Sequence, residues 1–359
     1  MFVGPGERAG RKRFLGLLYW TEAQSIDAPN LTKPVSSFTP KTSSANADAA
    51  IVPAGTGAIL GAIPDNVQLG GNKRGLYSVD LQLRRTTNTM VAGGDYSAVV
   101  GGRNGQIDPS VNPVYSGIFV GVDNSILGGA ASAKGSVIIG GNTHSITDNG
   151  ANGPAAILGG GAVTITQAGS TGYQSAVGGF SLNVSGNGAI SLGGREHNNS
   201  APHAVTFGYQ TKSRCEAAIY QGCQSGTVGS AQTGSYVLQK QTSDAVAISL
   251  SANGSLADNT NQVGPLPNNS SFAFTGQVCC HDTGGNASMW NVSGLIKNSG
   301  GTVSLVGSTV GTPVQDAGLA ATVLSLSADN VNKCLAVNVT GIATFTIGWT
   351  CHINTTERV

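Results

Sequence analysis

Charge is scarce in this chain: Asp, Glu, Lys and Arg make up 10% of its 359 residues, and the formal net charge is +1. Ordinary globular domains carry roughly a quarter charged residues. With a sequence pI near 7.6, no global field draws the protein to nucleic acid or to a membrane surface. Long apolar runs are missing as well. No stretch approaches the roughly 18 residues that cross a bilayer as a helix, so membrane insertion is not expected. Arg11-Lys12-Arg13 followed by Phe14 to Trp20 imitates the start of a secretory signal. The apolar stretch is short, however, and no small-residue cleavage site follows it cleanly.

Cysteine is also sparse. The six thiols are Cys215, Cys223, Cys279, Cys280, Cys334 and Cys351, with no C-x-x-C pair among them. Adjacent Cys279 and Cys280 beside His281 make a poor zinc geometry. A disulfide framework is not expected in a chain this long, so free, mostly buried thiols and a reducing site of assembly are. No phosphate-binding loop, dinucleotide fingerprint or Asp-rich calcium loop occurs, so no cofactor or metal is expected. Glycoside hydrolysis needs two carboxylates roughly 5 to 10 Å apart. Asp95, Asp108, Asp123, Asp148, Glu196 and Glu216 are scattered, as are the five histidines, and no acid recurs with polar partners. Arg195-Glu196-His197 reads as a solvated turn, with ligand binding as the alternative. Solenoid enzymes also tend to have wide coils of about 20 residues or more. An enzyme is therefore not expected.

What the chain does have is glycine, 53 residues of it, set in a repeat. A small residue, two or three apolar residues and a glycine pair recur as Ser97-Ala-Val-Val-Gly101-Gly102, Ser125-Ile-Leu-Gly128-Gly129 and Ser136-Val-Ile-Ile-Gly140-Gly141. Further copies are Ala155-Ala-Ile-Leu-Gly159-Gly160, Ser175-Ala-Val-Gly178-Gly179 and Ala189-Ile-Ser-Leu-Gly193-Gly194. Degenerate copies end at Gly208 and Gly222. The last spacings are 15, 15 and 14 residues, which accommodates two short strands and two turns, with the earlier irregular spacings read as insertions. Glycine pairs permit positive φ, so the chain turns within two residues. Each coil then buries its apolar residues on the coils above and below. A coil this narrow has little interior and gains by packing on two copies of itself around a threefold axis.

The flanks differ. Residues 1–60 are irregular, rich in Ser, Thr, Pro and Ala, and read as an arm that needs a partner surface. Phe14, Leu17, Leu18 and Trp20 are its anchor candidates. Over 231–359 the glycine pairs stop and period-two strands appear between turns, as in Ala245-Val-Ala-Ile-Ser-Leu, which predicts an antiparallel sandwich or jelly roll. Trp290 and Trp349 are expected in its core more than on its surface. Asn268, Asn269, Asn286, Met289, Trp290 and Asn330 are the candidate contact residues, with simple turn chemistry as the competing reading of these loops. The predicted fold is all-β, a trimeric Gly-rich β-solenoid shaft over 61–230 followed by that C-terminal β-sandwich.

The glycine-pair repeat resembles the head repeats of trimeric autotransporter adhesins, which form a parallel β-roll. Gly55-Thr-Gly-Ala-Ile-Leu-Gly61, Gly70-Gly-Asn-Lys-Arg-Gly-Leu-Tyr-Ser-Val-Asp-Leu-Gln82 and Gly93-Gly-Asp-Tyr-Ser97 are similar to the β-roll regions of bacteriophage tail fibres. Val339-Thr-Gly-Ile-Ala343 and the strand through Trp349 to Val359 resemble phage fibre tips. Adhesins carry a coiled-coil stalk and a membrane-anchor barrel, whereas this sequence shows no heptads and reads as a soluble sandwich at its end. The resemblance therefore implies a homotrimer on the exterior of a virion, assembled in the host cytoplasm. It implies docking of residues 1–60 on another virion protein and host attachment through the C-terminal tip, with a surface glycan as one receptor class. A capsid or neck decoration fibre without a receptor, and a tailspike depolymerase, are the alternatives it leaves.

Overall fold

The computed structural model describes residues 50–108, 115–128, 135–148, 154–167 and 173–359, together with the backbone of two earlier strands. Those two, Trp20–Ser25 and Val35–Pro40, pair antiparallel from Trp20↔Pro40 to Ser25↔Val35. The arm read as irregular thus contains a hairpin. It belongs to a unit of its own, Met1–Ala54, separate from Gly55–Val359. Phe14, Leu17 and Leu18 lie outside the described residues, and of Trp20 only its backbone place at the start of a strand is described.

From Ile59 onward the second unit is a β-solenoid. One parallel ladder stacks ten strands from Ile59–Leu60 to Ile219–Gly222. A second parallel ladder stacks Gln106–Ile107, Ser125–Gly128, Ser145–Asp148, Thr164–Gln167, Phe180–Val184 and the later half of Ile190–Asn199. About seven turns present both ladders, the last through the Asn198↔Lys212 bridge. Between the two strands of a turn the backbone passes through consecutive positive-φ residues, such as Gly159 and Gly160 at φ 69° and 97°. Gly159 is required by its φ alone, since a Cβ there would meet nothing. At Gly160 a Cβ would also run into the carbonyl oxygen of Gly179 in the next turn.

The coil is wider than the sequence spacing predicts. In the first ladder Ala98 pairs with Gly117, 19 residues on, and Gly117 with Val137, 20 on. Only later does the step shorten, to 15 at Ser175↔Ile190 and Ile190↔Val205 and to 14 at Val205↔Ile219. The error arose at Gly128-Gly129. Ser125–Gly128 is a strand of the second ladder, Gly128 has no positive φ, and Gly129 lies outside the described residues. The corner of that turn is formed by Val120 and Gly121 at φ 45° and 114°. Both strands of a turn bury one branched residue, so their sequence patterns look alike. The coil-width argument against a solenoid enzyme therefore has no force for the first turns. The other glycine pairs, at 101–102, 140–141, 159–160, 178–179 and 193–194, do occupy corners with positive φ.

Two apolar columns run through the interior, with Ala155, Val163, Leu182 and Ala189 packed beside them. Val99, Ile118, Ile138, Ile157 and Ala176 stack along the first ladder, and Ile107, Ile126, Ile146, Ile165 and Val184 along the second, all at most 2% exposed. Burying each Val or Ile contributes about 1.5–3 kcal/mol. Below Val99 the first column continues in register to Asp80, which receives Arg74 Nε at 2.7 Å with Arg85 Nη2 at 3.7 Å. Above Ala176, where the coils shorten, it turns polar: the Ser191 and Thr206 hydroxyls meet at 2.9 Å.

Ile219–Gly222 then pairs antiparallel with Ala231–Thr242, so the sheet changes polarity without a break. It continues through Ile347–Arg358, Ser270–Asp282, Ala287–Ser299 and Thr302–Val310. A separate three-stranded sheet, Ala247–Ser249, Cys334–Thr340 and Val323–Asp329, shares its apolar cluster. Strict alternation along Ile347–Arg358 puts Ile347, Trp349, Cys351 and Ile353 inside. Among the described residues the only helical element is the short 3-10 turn Ala317–Leu319. Replacing Ile146 with Ala should cost about 2–5 kcal/mol of unfolding free energy, measured by denaturant titration. Thr147→Ala on the outward side should stay within about 0.5 kcal/mol.

Candidate functional site

Strand pleating gives each ladder an outward row, and the two rows differ in chemistry. On the second ladder the outward positions are Ser125, Leu127, Ser145, Thr147, Thr164, Thr166, Asn183 and Asn198, hydroxyl and amide groups apart from Leu127. On the first ladder Val100, Phe119, Ile139, Leu158, Val177, Leu192 and Phe207 stand in register, one above another. At roughly 4.8 Å per strand this column is about 30 Å long. Phe119, Ile139, Leu158, Val177 and Leu192 are 41–48% exposed. The neighbouring outward column, Ala98, Gly117, Val137, Ala156, Ser175, Ile190, Val205 and Ile219, contains no charge either. A continuous exposed apolar face of this kind marks an interaction surface. Past Phe207 it opens into a cavity of about 590 Å³ lined by Ile219, Thr233, Ser235, Asn354 and Thr356.

The candidate contact residues do not gather into one patch. Asn268 and Asn269 accept the amides of Gly301 at 2.9 Å and Gly300 at 3.5 Å, and Asn330 makes two bonds with the backbone of Val303. These three tie the 300–303 turn to its neighbours. Asn286 bonds Asp282 at the far end of the Ser270–Asp282 strand, roughly 40 Å away at about 3.3 Å per residue. Asp282 there sits below its usual carboxylate range, chiefly through the hydrogen bond from the Asn286 side chain. Trp290 is 3% exposed and stacks on Trp349 with ring centroids 5.8 Å apart, inside the core. Met289 is half-buried beside it.

Polar chemistry the sequence did not reveal appears in three places. Tyr77, Tyr96 and Tyr115 stack on consecutive turns with centroids 5.0 and 5.3 Å apart. Their 19-residue spacing was the legible signature of the true coil period. Ser235 Oγ and His352 Nε2 meet at 2.8 Å on the outward face of the large sheet. The sheet ladder holds the neighbouring amides, and no described carboxylate bonds His352, so the pair lacks both oxyanion donors and an orienting acid. Glu357, 2% exposed, accepts Tyr236 Oη at 2.6 Å, Gln232 Nε2 at 2.8 Å and Arg214 Nε at 3.0 Å. It ties the last solenoid turn to the C-terminal sheet. Burial raises the hydroxyl pKa of both Tyr220 and Tyr236.

The cysteines form no disulfide. Cys279 and Cys280 point to opposite faces, and all six thiols are free. Burial pushes Cys280 and Cys351 up to about 12. The chain matches no protein-family model, and no curated protein matches it.

Two histidines are enclosed in the solenoid. Nδ1 of His144 accepts the Val163 amide at 3.3 Å, and His197 lies between Gly208 O at 2.9 Å and Thr206 Oγ1 at 3.3 Å. Burial lowers both pKa values, against the opposing Gly208 bond at His197. The unfolded chain, with His near 6.5, then binds protons before the folded one. Stability should be full above about pH 6.5 and fall as pH drops below it. Melting temperatures between about pH 7 and 5 check this, and His144→Gln should flatten the slope. Glu357→Gln, which strands the Arg214 guanidinium, should cost about 3–5 kcal/mol by denaturant titration.

Proposed function

We propose that this chain is the structural subunit of a homotrimeric virion fibre whose solenoid forms the shaft by packing its apolar face on two further copies. The observation that carries the reading is the contrast between the two ladders. The first presents an unbroken aliphatic and aromatic column, the second a row of hydroxyls and amides interrupted by the single apolar residue Leu127. Exposed as a monomer, such a column invites uncontrolled association, and closed symmetric packing removes that hazard. The threefold symmetry follows the resemblance to adhesin heads and phage fibres.

In this reading residues 1–60 dock on another virion protein. The C-terminal region, a β-sandwich built from the large and small sheets, is the exposed tip. Host attachment comes from weak tip contacts multiplied over three chains and several fibres, with a surface glycan as the receptor class the resemblance favours. The protein is not an enzyme in this account. A decoration fibre without a receptor is the second reading, favoured by the way Asn268, Asn269 and Asn330 spend their side chains on turn backbone.

Light scattering in native buffer should give about three times the 36.0 kDa chain mass. Ile139→Asp combined with Leu158→Asp should give the monomer with its fold retained, because both side chains point outward. A wild-type mass of one chain would refute the trimer. Saturable binding of the intact fibre to a glycan array supports attachment, and its absence together with normal particle adsorption after tip deletion favours decoration.

A further inference from the structure

A second cavity, of about 450 Å³, lies where the last solenoid turn meets the segment before Ser270–Asp282. Its size falls within the range of small-molecule sites, roughly 300–1,000 Å³. Lys212 and Arg214 enter from the solenoid and Lys333 from the Asp329–Cys334 turn, while Pro265, Leu266 and Pro267 form an apolar wall. In a chain with 10% charged residues, three cations line one cavity and no carboxylate does.

The three cations are not equivalent. Arg214, its side chain 5% exposed, is neutralised by Glu357 at 3.0 Å and fixed through Nη2 to Gly229 O at 2.7 Å. Neither Lys212 nor Lys333 has a carboxylate partner among the described residues. Lys212 is clamped at its backbone by Gln232, which accepts its amide at 3.0 Å and donates to its carbonyl at 2.9 Å. The Lys333 carbonyl accepts the Leu266 amide at 2.7 Å, and its ammonium rests on Gly301 O at 2.7 Å. Two ammoniums are thus anchored at their roots and lack a counter-ion. Ser213, 2% exposed, accepts the Ala201 amide at 2.9 Å, which leaves its hydroxyl hydrogen to donate. Asp258, the acid on the adjoining loop, is engaged by the amide and hydroxyl of Thr260, both at 2.7 Å.

We propose that this cavity binds an oxyanion, a carboxylate or phosphate group, carried on a ligand the size of a monosaccharide. Lys212 and Lys333 take the anion from two sides, Ser213 donates to it, and the Pro265–Pro267 wall receives an apolar ring face. Charge-assisted bonds of this kind are about twice as strong as neutral ones. Lys212 bridges to Asn198 on the second ladder, away from the apolar column, so the site stays open when that column is covered. The inference stands apart from the fibre reading.

Calorimetric titration of the full chain with glucuronate, with inorganic phosphate and with uncharged glucose tests it. One saturable site per chain is expected for an oxyanion and none for glucose, and whichever anion binds tighter names the source. Lys212→Gln and Lys333→Gln should each weaken binding about tenfold, with Lys212→Arg retaining most of it. In the wild type the affinity should fall as sodium chloride rises, a readout that needs no variant. Absence of saturable binding by either anion, or affinity indifferent to salt or to the double lysine variant, overturns the proposal.

Discussion

Everything in the solenoid depends on one constraint: each short strand buries only one or two side chains, and each must fit the residue in register one turn above and below. Ile118, Ile138 and Ile157 satisfy it on one ladder, and Ile126, Ile146 and Ile165 on the other. A core this narrow cannot be thickened from within, so the stack grows by repetition. Its ends need other solutions. At the lower end the column closes with Asp80 held between Arg74 and Arg85. At the upper end the ladder passes into an antiparallel sheet with a conventional core, through the junction that Glu357 holds together.

The same constraint makes the outward rows informative. The inner positions are dictated by packing, so chemistry is free to vary only on the outside and in the corners. A row of hydroxyls and amides with one leucine, Leu127, on one ladder is what water tolerates. Phe119, Ile139, Leu158, Val177 and Leu192 on the other are not, and covering them is the central claim about this protein.

Much of this was legible in the sequence. The apolar triplets and glycine pairs mark strands and corners because β-branched packing and positive φ each admit few residue types. The C-terminal alternation around Trp349 marks a half-buried strand for the same reason. The coil length was not legible from those triplets, because Ser125–Gly128 and Val137–Ile139 obey the same rule on different ladders. The tyrosines at 77, 96 and 115 would have separated them, since stacking requires the true period. The apolar face was equally hidden: it emerges only when Val100, Phe119 and Ile139 are placed in register. The anion cavity could not be read at all, because Lys212 and Lys333 meet only through the tertiary fold.

Photo-crosslinking tests the central claim most directly. A photoreactive side chain installed at Ile139 should join chains to one another at first-ladder residues, giving dimers and trimers on a denaturing gel. The same group at Thr147, on the second ladder, should give none. Crosslinks from position 147 and not from 139, or from neither, would contradict the account.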